Sequence, residues 1–159
     1  MIRLHASCVA IAGEAVLLRG PSGAGKSDLA LRLIDAGARL VADDQTLLQR
    51  QGNRLIASAP PAIHGLIEIR GLGPVAMIPA PPTPVALAID LVEPALMPRL
   101  PEPRFESLLD ITVPVLALDP FTASAAIKVK LALARAAAGL LFEPAEARMT
   151  GTAGSRQNG

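Results

Sequence analysis

Ala15-Val16-Leu17-Leu18-Arg19-Gly20-Pro21-Ser22-Gly23-Ala24-Gly25-Lys26-Ser27 joins a short apolar run to a glycine-rich turn and then to a stretch of helical periodicity. Its second part fits the pattern G-x-x-x-x-G-K-[ST] in full, and it does so between a strand and a helix, the setting that this motif requires. The residue types suit phosphate binding. Glycines let successive backbone N–H groups turn inward as a nest for phosphate oxygens. The following helix adds unpaired amides and a favourable dipole. Lys26 offers a compact charge for β- and γ-phosphates, and the Ser27 hydroxyl can ligate Mg²⁺. Gly20, Pro21, Ser22, Gly23, Ala24, Gly25, Lys26 and Ser27 are therefore the candidate nucleotide contacts, for ATP with Mg²⁺. The bland alternative is a glycine-rich connector, and the completeness of the motif argues against it.

Outward from this loop, residues 2–12 and 15–20 read as two strands around a Gly13-Glu14 turn. Leu29, Ala30, Leu33 and Ile34 mark one face of a helix from Lys26 to Ala36, with Gly37 just past its end. Arg39 to Asp43 reads as a short buried strand. Segments 46–49 and 54–58 flank Gln51-Gly52-Asn53 as a second hairpin, and strands are expected at 66–70, 74–78 and 85–92. Eight of the 15 prolines lie between Pro79 and Pro103, so much of that stretch is expected to be edge or loop. A strand over 111–118 follows, then a helix capped by Thr122 or Ser124, running to Ala138 and stopped by Gly139. The expected organisation is one α/β catalytic domain over 1–142, a mixed sheet with flanking helices, and a polar tail over 143–159.

Composition narrows the function classes. At 159 residues with 51% hydrophobic and 18% charged residues, the chain can fill one substantial core. There is no Trp or Tyr and only 3 Phe, so platforms for stacking single-stranded bases are scarce. A net charge of +1 provides no field to collect nucleic acid or an anionic membrane. Cys8 is the only cysteine, which excludes an internal disulfide and a thiolate zinc cluster. No apolar run reaches membrane-spanning length. Gly13-Glu14 interrupts the run after Arg3 that could be misread as a leader, so a cytoplasmic location is expected.

Phosphoryl transfer needs carboxylates near the metal and the attacking oxygen. Asp43 and Asp44 end the strand that follows the loop helix. In a parallel βαβ unit that strand would return beside the loop strand, with its end at the phosphate edge. Asp90 competes, since Val85-Ala86-Leu87-Ala88-Ile89-Asp90 is an apolar strand closing in a carboxylate; the residues alone do not choose between them. Glu68 and Arg70 project from one strand face ahead of Gly71 and Gly73, where they either pair on the surface or serve a site. His5 and His64, taken singly, are more often structural than catalytic.

Taken together, His5, the glycine-rich loop, Leu40-Val41-Ala42-Asp43-Asp44 and Glu68-Ile69-Arg70-Gly71-Leu72-Gly73 resemble the HPr kinase/phosphorylase family. The resemblance implies a P-loop NTPase-like fold similar to that of phosphoenolpyruvate carboxykinase, and transfer of phosphate from ATP to a seryl hydroxyl of the phosphocarrier HPr. It also implies a reverse reaction in which inorganic phosphate removes that group as pyrophosphate. By motif, Asp43 would be the general base, Lys26 would hold the phosphates, Ser27 and Glu68 would hold the metal, and His5 would lie near the transferring group. Arg99 would be a mobile-loop arginine. The expected partner is an HPr-like protein, and the expected assembly is a homo-oligomer. The chain departs from the family at Gly37-Ala38-Arg39, where a histidine often precedes the arginine, and at Leu118-Asp119-Pro120-Phe121. It resembles a short form consisting of the catalytic domain alone. Two other readings stay open: a small-metabolite kinase using Asp90 as the metal carboxylate, and a nucleotide-dependent ATPase module.

Overall fold

The computed structural model describes residues 1–100 and 102–143. The expected tail from 143 onward therefore lies, apart from Glu143, outside the described residues. Two strands open the chain, β1 (Ile2–Ile11) and β2 (Glu14–Arg19), followed by α1 (Lys26–Asp35). Next come β3 (Arg39–Ala42), β4 (Gln45–Gln51), β5 (Arg54–Ser58), β6 (Leu66–Ile69) and β7 (Gly73–Ala76). The chain continues through β8 (Thr83–Leu91), β9 (Phe105–Leu108) and β10 (Ile111–Leu118) to α2 (Ala125–Ala137). No described helix is long and apolar enough to cross a membrane.

Two long strands are each shared between two layers. The second half of β1 pairs antiparallel with β2 from Ala6 to Ile11, while its first half pairs with β4 from Ile2 to His5. Likewise β8 begins against β5 at Thr83 and Pro84, then runs parallel to β2 and, from Ala88, parallel to β10. Since β4 also pairs with β5, the strands β1, β2, β8, β5 and β4 close into a ring. Strands β6 and β7 form a separate two-stranded sheet.

Strand alternation fills both sides of this framework. Val16 and Leu18 of β2, with Leu87 and Ile89 of β8, face α1 and α2 and meet Leu29, Leu33, Val129 and Leu133. Leu17 and Ala88 point the other way, into a second cluster with Cys8, Leu48, Leu55 and Val115. Burial on both faces explains why these strands read as nearly continuous apolar runs. Helix α1 ends as expected at Gly37, whose φ is 108°. The Gly37 N–H donates to the Ile34 carbonyl at 3.0 Å and that of Ala38 to Leu33 at 2.9 Å, the paired bonds of a Schellman cap. Ser124 stands at the start of α2, but its side chain makes no capping bond.

One expectation changes and one element is new. β3 does not return beside β2: β1 lies between them, antiparallel to both. Periodicity reports a strand's burial and says nothing about its neighbour, so the inserted strand was invisible. A strand that was not expected, β9, lies at the sheet edge just beyond the proline-rich stretch. Its residues follow the last proline of the cluster and pair with β10 across a tight turn, where Leu109 and Asp110 both take positive φ, 49° and 62°.

Candidate active site

The loop between β2 and α1 is closed by its own residues. Gly23 and Gly25 take φ of 84° and 98°, a region costly for side chains, and Gly25 caps α1. Gly20 is needed for closeness instead: a Cβ there would stand 2.8 Å from the Ala24 Cβ. Lys26 Nζ donates to the carbonyls of Gly20 at 2.7 Å and Pro21 at 3.1 Å, which fixes the ammonium over the loop.

The two adjacent carboxylates have different surroundings. β3 and β4 both pair with the same edge of β1, and Asp43-Asp44 is the break between them, opposite Ala6-Ser7. Asp44 creates the break with φ of 64°, a conformation that Asp tolerates better than most residues. Asp43 is buried and accepts from Ser27 Oγ at 2.6 Å, Ser7 Oγ at 3.1 Å and the Glu68 N–H at 2.8 Å. Asp44 is half exposed. It accepts from His5 Nε2 at 2.7 Å, and its Oδ1 lies 3.9 Å from Lys26 Nζ. Ser7 links the pair, accepting from the Asp44 N–H at 3.0 Å. The role of Ser7 was missed in the sequence, although a hydroxyl inside the apolar run Ala6-Ser7-Cys8-Val9 was the available signal.

A cleft of about 780 Å³ opens in front of these groups, with Ser27, Asp44, Glu68 and Arg70 in its wall. Four carboxylates, from Asp28, Asp43, Asp44 and Glu68, line it against two cations, Lys26 and Arg70. Ser27 Oγ and Glu68 are oxygen donors in this wall that could hold a divalent cation beside a polyphosphate. Among the described residues no group of three or more His, Cys, Asp or Glu could hold a metal by itself.

Arg99 and Asp90 stand apart from this cleft. Arg99 is exposed on the segment between β8 and β9 and is absent from the cleft wall, where Arg70 is the arginine present. Asp90 sits beside Arg19 in the β2–β8 register, accepts from Arg19 Nε at 2.7 Å and is bonded by Arg104. Arg19 also reaches Glu106 of β9. Burial works against the Arg19 charge, but its bonds to Glu106 and Asp90 outweigh this and push its pKa above the ordinary value. Asp90 is thus neutralised by two arginines. His64 is exposed and lies outside the cleft wall.

Fold and geometry together define a mixed α/β domain whose strand–glycine loop–helix unit faces two inequivalent carboxylates. Comparison with known proteins makes this specific. The HPr Serine kinase C-terminal domain family matches residues 1–79. The chain is 47% identical over 74 residues to an HPr kinase/phosphorylase of Exiguobacterium sp., covering 46% of this chain and 24% of that one. With an HPr kinase/phosphorylase of Chlorobium phaeobacteroides it is 50% identical over 70 residues, covering 43% and 21%. The solved structure of the Hpr(Ser) kinase/phosphatase from Coxiella burnetii superposes with a TM-score of 0.74 at 33% identity, over 85% of this chain and 95% of that one. The chain belongs to the HPr kinase/phosphorylase family. It spans about a quarter of the length of the curated relatives it matches.

Proposed function

We propose that this protein is an ATP- and Mg²⁺-dependent kinase that phosphorylates a seryl hydroxyl of an HPr-like phosphocarrier, and that it can run the reverse phosphorolysis. The observation that carries the reading is the meeting, in one cleft, of the glycine-rich loop with its lysine and an accessible carboxylate, Asp44, held by His5. In this reading the loop is a P-loop of the kind found in phosphoenolpyruvate carboxykinase. Its amides and Lys26 grip the β- and γ-phosphates, and Ser27 and Glu68 hold Mg²⁺, which would supply charge neutralisation at the transferring oxygens.

The proton acceptor is Asp44 rather than Asp43. Three donors already occupy the two oxygens of Asp43, and they position Ser27 and the β6 backbone. Asp44 is half exposed to the cleft and can take the proton of the incoming serine. The seryl oxygen bonds to the γ-phosphorus, the bond to the β-phosphate oxygen breaks, and ADP leaves. In the reverse direction, an oxygen of inorganic phosphate attacks the phosphoseryl phosphorus. The bond from that phosphorus to the seryl oxygen breaks, Asp44 passes a proton to the departing oxygen, and the pyrophosphate so formed leaves. His5 orients Asp44, and Arg70 in the cleft wall is available to steady developing charge. A cytoplasmic homo-oligomer completes the proposal.

The test is incubation with Mg-ATP and HPr proteins, read by intact mass, with Lys26→Ala as the control. One added phosphoryl group is expected with the wild type and none with the variant. A folded, ATP-binding wild type that leaves every seryl-bearing HPr unmodified would refute the substrate assignment. The Asp90-centred kinase reading is not favoured, because two arginines already neutralise that carboxylate.

A further inference from the structure

A second, smaller recess of about 300 Å³ lies behind the glycine-rich loop, walled by Leu91, Val92 and Pro94 at the end of β8 and by Pro21 and Ala24 of the loop. Ser22, Gly23 and Phe121 line both the recess and the main cleft, so the two adjoin at the loop. Phe121 is the residue at their junction. The residue is 70% exposed, so its ring is open to a ligand in the cleft or the recess. The other two phenylalanines pack on each other, Phe105 against Phe142 edge-on with centroids 5.5 Å apart.

The turn that carries Phe121 is held on both sides. Arg32 of α1 donates to the Pro120 carbonyl and, at 3.5 Å, to that of Thr122, while Asp28 orients Arg32 through a 3.1 Å bond. The Phe121 N–H donates to Asp119 Oδ1 at 3.0 Å. Gly25 marks how closely the ring approaches the loop, since a Cβ there would meet two ring carbons and a Pro120 carbon at 3.4 Å. The backbone that carries this aromatic ring is thus held beside the phosphate loop, which lowers the ordering cost for a ligand that stacks on the ring.

We propose that Phe121 is the stacking platform for the base of the bound nucleotide, whose nucleoside end occupies the recess behind the loop. The inference rests on the nucleotide-binding reading above and adds where the base goes and what holds it. Among the described residues, the polar side chains in the wall of the recess are Ser22 and Glu93. Recognition therefore comes mainly from the π-face, which every base possesses.

The experiment is titration calorimetry of the full chain with Mg-ATP and with Mg-tripolyphosphate, which has the phosphates and lacks the nucleoside. The wild type should bind ATP more tightly. In Phe121→Ala, ATP affinity should fall roughly tenfold or more while tripolyphosphate affinity stays within about twofold. Phe121→Trp should keep the preference for ATP, and its indole, the only Trp or Tyr in the chain, should be quenched by ATP and not by tripolyphosphate. An equal loss for both ligands in Phe121→Ala would overturn the proposal in favour of a ring that only props Gly25. Unchanged ATP affinity in that variant would also overturn it, leaving the ring as a contact for a protein partner. A wild type that binds both ligands equally refutes the stacking alone; one that binds neither refutes the nucleotide reading as well.

Discussion

At the residue scale, the two neighbouring aspartates should separate by experiment. Asp43→Asn replaces an acceptor oxygen with a donor facing donors in a buried position, which should cost about 1–3 kcal/mol. For a chain of this size that lowers the melting temperature by roughly 2–4 °C per kcal/mol. Asp44→Asn keeps a residue that accepts positive φ, so its melting temperature should stay within the equivalent of about 0.5 kcal/mol. HPr phosphorylation by Asp44→Asn should fall by about 10²–10⁴-fold. Calorimetry and a transfer assay on both variants decide the matter, and the opposite pattern would restore Asp43 as the base. The sequence could not rank the pair, because adjacency says nothing about which oxygen is already spoken for; that depended on Ser7 of a strand 36 residues earlier. Cys8 makes a separate test. Burial pushes its thiol pKa up, and the reactive thiolate is correspondingly scarce. Alkylation should be negligible in the native protein and complete after denaturation, as read by mass. Rapid native labelling would contradict the burial of the β1 face.

At the element scale, the strand–loop–helix unit was legible because three local signals agree: the apolar strand, the loop motif and the Gly37 stop. The β1–β2 and β4–β5 hairpins were legible for the same reason, since each of those turns is decided within a few residues. Longer-range choices were not. Nothing in Arg39–Ala42 states that β1 will stand between it and β2, and the dense prolines around β9 hid a strand that is fixed by its pairing with β10. Asp90 shows how position along a strand can mislead. It ends an apolar strand as a metal-binding carboxylate would, yet it serves to join β8 to Arg19 of β2 and to Arg104 beside β9. Asp90→Asn should therefore lower stability by about 1.5–3 kcal/mol, the worth of hydrogen bonds to charged groups, and leave HPr phosphorylation near the wild-type rate. Denaturant unfolding and the transfer assay measure both. Loss of activity with stability intact would revive the reading that places Asp90 at the metal.

At the scale of the whole molecule, the family match and the folding unit have different boundaries. The match covers residues 1–79 and contains the loop, both aspartates, His5 and Glu68. β8 begins at Thr83, and it is the strand that seals the free sides of both β2 and β5. A fragment ending at residue 79 would leave two apolar strand edges open, and such edges recruit other chains. That fragment should accumulate in aggregates and show no cooperative melt; a soluble fragment with a sharp transition would show that β8 is dispensable. The portion most recognisable to a sequence comparison thus holds nearly all the proposed chemistry and lacks the means to keep its own shape. Whoever divides this chain for expression, fusion or transplantation should cut by the ring of strands, because a scissile point chosen from the similarity alone would sever the clasp.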